Sequence, residues 1–181
     1  FLSTSNTVPS DVIILTMLLI FLIIFLIQES VINQLRLPGG GFSLPLLIAL
    51  TWAALSTPTV GALTGFISGF LMDLSQSSSG AMGHWTLLMI LACYAVAFLG
   101  FGNDNVRGNP ITNILLVSSA SVLTLIAFVI TGFLLGVSFG SFSRVLITIL
   151  GNGIWALFVT PLILPIVTRL HRTLFGNQAH I

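Results

Sequence analysis

Charge is almost absent from this chain, and where it falls divides the sequence into blocks. Five arginines and four acidic residues make up all the permanent charge in 181 residues, and there is no lysine. Between Asp11 and Glu29 lies an unbroken apolar run, and from Arg36 to Asp73 nothing is charged. Soluble domains carry about a quarter charged residues; here the share is 5 %, against 56 % hydrophobic residues and a mean hydropathy of +1.14. A soluble fold has too little polar surface to cover such a composition. The chain reads as an all-α integral membrane protein, whose scarce polar groups mark loops or buried sites.

A membrane span takes roughly 20 apolar residues, so the length accommodates about six spans and leaves no room for a soluble domain. A net charge of +1 gives no footprint for nucleic acid. Cys93, the one cysteine, lies inside an apolar run, where it forms neither an intrachain disulfide nor a thiolate metal site. The chain begins at Phe1. Its first apolar run has no basic flank before it and no small-residue cleavage site after it, so it is expected to be retained rather than removed as a signal peptide.

The whole of 1–181 is read as one transmembrane domain, a compact bundle with helices over about 12–28, 43–55, 59–74, 84–101, 111–137 and 144–168. The breaks are Pro38 with Gly39-Gly40-Gly41, Ser56-Thr57-Pro58, the polar loop Ser75–Gly80, the segment Gly102–Pro110 and Gly140-Ser141. The second and third helices fall short of a full span, which predicts a buried hairpin. Pro161 and Pro165 predict a kink in the last helix, and Arg169-Leu170-His171-Arg172 its end at the interface. Six spans place both termini on one side. Arg107, Arg169 and Arg172 would share that side, against Arg36 and Arg144 opposite, which favours cytoplasmic termini.

Two small-residue ladders stand out. Gly61, Gly65 and Gly69 repeat every four residues in the third helix, and Gly132, Gly136 and Gly140 at the end of the fifth. Such spacing aligns glycines on one helix face and lets a second backbone approach. That backbone belongs either to a neighbouring helix of this chain or to a partner's transmembrane helix.

Polar residues at membrane depth are the other candidates. Asp73 ends one helix and His84 begins the next. The two either fasten the hairpin by a charge-assisted hydrogen bond or form a proton or ion site, unless they are only an interfacial acid and a helix-start histidine. Asn152, within Leu150-Gly151-Asn152-Gly153, calls for an interhelical hydrogen bond or a ligand contact. Trp85 suits an interfacial belt, and Trp52 and Trp155 suit packing. Catalytic patterns fail. Gly65-Phe66-Ile67-Ser68-Gly69 hints at an intramembrane serine protease, but its spacing is GxxSG rather than GxSG, and no later span holds a histidine to serve as base. The three histidines lack metal-ligand spacing, and there is no phosphate loop. The expectation is a non-enzyme without cofactor.

Three segments then line up with one family. The run Arg36-Leu37-Pro38-Gly39-Gly40-Gly41-Phe42-Ser43-Leu44-Pro45 leads into a short helix. It is followed by Pro58-Thr59-Val60-Gly61-Ala62-Leu63-Thr64-Gly65-Phe66-Ile67-Ser68-Gly69-Phe70-Leu71-Met72-Asp73-Leu74. After a polar loop, Gly80-Ala81-Met82-Gly83-His84-Trp85 opens a helix that carries Tyr94 in its second half. Residues 36–100 resemble the bacterial rod-shape-determining MreD family. Cys93 replaces the family glycine before Tyr94, and the basic residue expected after the fourth helix comes only at Arg107. The resemblance implies a multi-pass protein of the bacterial plasma (inner) membrane, a non-enzymatic scaffold of the elongation machinery. Its implied partners are the bitopic protein MreC and, directly or through it, the RodA glycosyltransferase and a class B penicillin-binding protein. It further implies a fold resembling substrate-binding subunits of energy-coupling-factor transporters. That opens a second reading, a small-ligand-binding transport subunit with Asp73, His84 and Asn152 in its pocket. Against it, such subunits usually carry an alanine face on the first helix, and the first helix here has no alanine.

Overall fold

The computed structural model describes residues 10–35, 37, 39, 41–75, 81–103 and 108–175. Six α-helices are found among them, and no strand. They are α1 (Ser10–Ser30), α2 (Leu44–Leu55), α3 (Pro58–Asp73), α4 (His84–Gly100), α5 (Pro110–Leu134) and α6 (Phe142–Phe175). A 3-10 turn at Ile32–Gln34 follows α1. Arg36, Pro38, Arg107, most of the expected loop at 76–80 and His180 lie outside the described residues.

Three helices, α1, α5 and α6, are long and apolar enough to cross a membrane. The second and third helices are short, in line with the expectation, and α4 falls short of a full span as well. α2 has 12 residues, about 18 Å of rise, and α3 and α4 have 16 and 17, about 24–26 Å. α2 is instead the centre of the bundle. Leu46, Leu47, Ala49, Leu50, Trp52, Ala53 and Ala54 have no exposed surface, and α2 packs against all five other helices. The outer faces carry large exposed side chains such as Leu15, Leu19, Leu123, Phe158 and Leu162. An apolar exterior around a filled interior suits hydrocarbon as the surrounding medium.

A helix that begins inside the bundle needs its first N–H groups satisfied there. Gln28 of α1 does this: its Oε1 accepts the Leu44 N–H at 2.9 Å and its Nε2 donates to the Phe42 carbonyl at 3.3 Å. The same chain segment lies against α6. A Cβ on Gly151 would stand 2.3 Å from the Gly39 carbonyl oxygen, and Phe42 meets Trp155 with ring centroids 5.7 Å apart. Only a glycine at 151 admits that backbone.

The expected buried hairpin is only half right. α2 is enclosed, but α3 turns Phe66 and Phe70 outward, and its tightest partner is α4. α5 stops at Leu134 rather than Val137, in a Schellman motif: the Val137 N–H donates to the Gly132 carbonyl and the Gly136 N–H to that of Phe133, with Gly136 at φ +77. α6 runs seven residues past the expected end at Thr168, unbroken through Pro161 and Pro165. Both prolines lie on its exposed side, while Ala156, Thr160, Ile163 and Val167 form a continuous buried stripe opposite. Packing of that stripe, extended by His171 and Phe175 against Trp52, offsets the hydrogen bonds the prolines remove.

Candidate functional site

The sequence candidates converge on the α3–α4 pair. Gly61, Gly65 and Gly69 all face α4. A Cβ at Gly61 would sit 2.6 Å from the Ala97 Cβ, at Gly65 2.2 Å from the Met89 carbonyl oxygen, and at Gly69 2.6 Å from the Thr86 Cα. Three successive turns of α3 thus rest directly on the α4 backbone. Of the two occupants left open for this ladder, the structure places a helix of the same chain there.

Asp73 closes the end of that seam. Its Oδ1 accepts the Trp85 N–H at 3.0 Å, and its Oδ2 accepts the Thr86 N–H at 2.9 Å and the Thr86 hydroxyl. Those two amides are among the first of α4, which otherwise lack partners, and a carboxylate there also meets the positive end of the helix dipole. Asp73 therefore caps α4 from across the loop. Of the readings left open for Asp73 and His84, a bond between the two is not made among the described residues.

The His84 ring points instead to α5. His84 Nε2 lies 2.6 Å from the Thr131 hydroxyl, whose own proton goes to the Ala127 carbonyl at 2.6 Å, so Nε2 is the donor. The ring is stacked on Phe128 at 4.4 Å, and Trp85 stacks on the same ring at 4.1 Å. His84 is 6 % exposed and its Nδ1 has no partner. At the opposite end of the bundle the pattern recurs. His171 Nε2 lies 3.0 Å from the Ser56 hydroxyl, which donates to the Trp52 carbonyl. Each histidine thus staples α6 or α4 to a neighbour through a hydroxyl that is already back-bonded.

The second glycine ladder does not exist as a helix face. Gly132 is helical and its missing side chain is filled by the Phe139 ring, but Gly136 and Gly140 lie beyond α5 at φ +77, with open space around them. Their spacing of four is a coincidence of sequence: one glycine is a helix terminator and the other a loop residue. Asn152 is 6 % exposed on α6, and its Oδ1 has no partner. Its flanking glycines do mark close approach, Gly151 to Gly39 and Gly153 to Val122. None of Asp73, His84 and Asn152 lines the three grooves described between α4, α5 and α6. Those grooves are almost wholly apolar and face outward.

Ser68, the one serine near a hydrolase-like pattern, donates to the Pro45 carbonyl at 3.1 Å and is buried. No group of three or more potential metal ligands occurs among the described residues. Sequence reasoning missed Gln28 and a buried polar stripe on α5 comprising Asn113, Ser118, Ser121 and Thr124. The stripe was detectable as polar residues recurring at helical spacing in an otherwise apolar helix.

Comparison with known proteins finds no matching family model, no matching curated protein and no matching solved structure.

Proposed function

We propose that this chain is a non-enzymatic scaffold subunit of the bacterial cell-elongation machinery, a protein of the MreD type. It works by binding MreC and, directly or through MreC, RodA and a class B penicillin-binding protein in the plasma membrane. The observation that carries the reading is that two of the three segments resembling that family act as one device. Pro58–Asp73 lays three glycines on α4, and Asp73 caps the helix that Gly83-His84-Trp85 opens. A rigid hairpin of that kind holds its neighbours in place and performs no chemistry. The packed interior around α2 supports the same reading over a ligand-binding transport subunit. Arg169 and Arg172, exposed at the end of α6, favour cytoplasmic termini.

Depletion of the chain in the cells that make it tests the reading. Loss of lateral wall synthesis and rounding of the cells is expected. Unchanged shape and wall labelling, with loss of uptake of a small nutrient instead, would contradict it.

A further inference from the structure

Among the described residues, six buried side-chain polar atoms have no hydrogen-bond partner. Four belong to α5 and α6: Asn113 Oδ1, Ser118 Oγ, Asn152 Oδ1 and Thr160 Oγ1. The other two sit on side chains that touch those helices. His84 bonds Thr131 of α5, and Trp52 packs on His171 and Phe175 of α6. The buried hydroxyls around α2 and α3 are different. Thr51, Ser56, Thr64 and Ser68 each donate to a carbonyl. There, too, Gly61, Gly65, Gly69 and Gly100 bring backbones into direct contact. Buried polar groups are ordinarily hydrogen-bonded. The exceptions here follow one boundary, between a closely fitted α1–α4 and the pair α5–α6.

The unpaired groups have complements at matching height. A Cβ on Gly153 would stand 2.7 Å from Val122 Cγ2, which sets these two residues level on the antiparallel helices α5 and α6. At about 1.5 Å per residue, Asn113 and Thr160 then lie about 3 Å apart in height, and Thr124 and Asn152 about 1.5 Å. Neither pair is bonded. We propose that α5 and α6 alternate between two packings on a fixed α1–α4 body. The first is the one described, latched by His84–Thr131 at one end and His171–Ser56 at the other. In the second, the Thr160 hydroxyl donates to Asn113 Oδ1 and the Asn152 amide donates to the Thr124 hydroxyl. Each packing makes hydrogen bonds that the other lacks. Such an exchange keeps two packings close in free energy, which is what a two-state element requires. The connections permit it. Gly102, at φ +74 after α4, and Gly136 and Gly140, at φ +77 after α5, have open space around them. This switch is a property of the fold and stands whether or not the scaffold reading does.

The test is double electron–electron resonance on the full chain in lipid nanodiscs. Spin labels go on Leu91→Cys of α4 and Leu162→Cys of α6, in a Cys93→Ala background. Leu91→Cys with Leu19→Cys of α1 is the control pair, and all three label sites are exposed. The α4–α6 pair should show two distances and the control pair one. Thr131→Val removes the acceptor of one latch and should enlarge the second population about threefold, as should Ser56→Ala at the other end. Asn113→Leu removes an acceptor that only the second packing uses, so it should abolish that population. A single α4–α6 distance in every variant would overturn the proposal. So would a second population that Asn113→Leu leaves unchanged, because the amide would then play no part. Two distances in the control pair would place the motion inside α1–α4 and overturn the fixed body.

Discussion

At the scale of single residues, Gly65 and Asp73 hold the α3–α4 seam. Any side chain at position 65 enters the space of the Met89 carbonyl, which is backbone and does not yield. Gly65→Ala should therefore force the two helices apart and destabilise the protein by about 3 kcal/mol, read as a lower melting temperature in detergent. Melting like wild type would mean the seam is looser than described. Asp73 contributes as an acceptor for three donors. Asp73→Ala leaves two amides of α4 without a partner and should cost about 1–2 kcal/mol, whereas Asp73→Asn keeps one acceptor oxygen and should cost less. Equal melting for both variants would remove the capping role.

At the scale of elements, the unusual feature is a short central helix that starts inside the bundle. Gln28 makes that possible by serving both the Leu44 N–H and the Phe42 carbonyl. Gln28→Leu should strand both groups at depth and cost about 2–3 kcal/mol, again measurable by thermal melting. No loss would show that the start of α2 is satisfied in another way. Much of the element plan was legible in the sequence. Uncharged runs bounded by proline, glycine and serine clusters located all six helices, and the Gly61-Gly65-Gly69 spacing correctly implied close approach. What escaped had physical causes. The end of α5 is hidden because Leu135-Gly136-Val137 stays apolar, and only the positive φ of Gly136 shows that it terminates the helix. The end of α6 is hidden because Arg169 and Arg172 read as a boundary. In fact His171 and Phe175, on the other side of the same turns, pack onto Trp52. Asp73 and His84 looked like a pair from their proximity, yet backbone amides outcompete the imidazole for the carboxylate.

At the scale of the molecule, the bundle is solid at its centre and apolar outside, with polar staples at its two ends. Helices that alternate in direction put Asn103 on the side of the termini and Ser141 on the other. In a Cys93→Ala background, Ser141→Cys should react with an impermeant maleimide in intact cells, and Asn103→Cys only after permeabilisation. The reverse pattern would invert the orientation. The most direct check of the proposed scaffold role is native mass spectrometry of the tagged wild-type chain purified in detergent with its associated proteins. The account predicts a defined complex that contains MreC, with or without the synthase pair. A complex with an ATPase coupling module, or the chain alone with a tightly held small molecule, would contradict it.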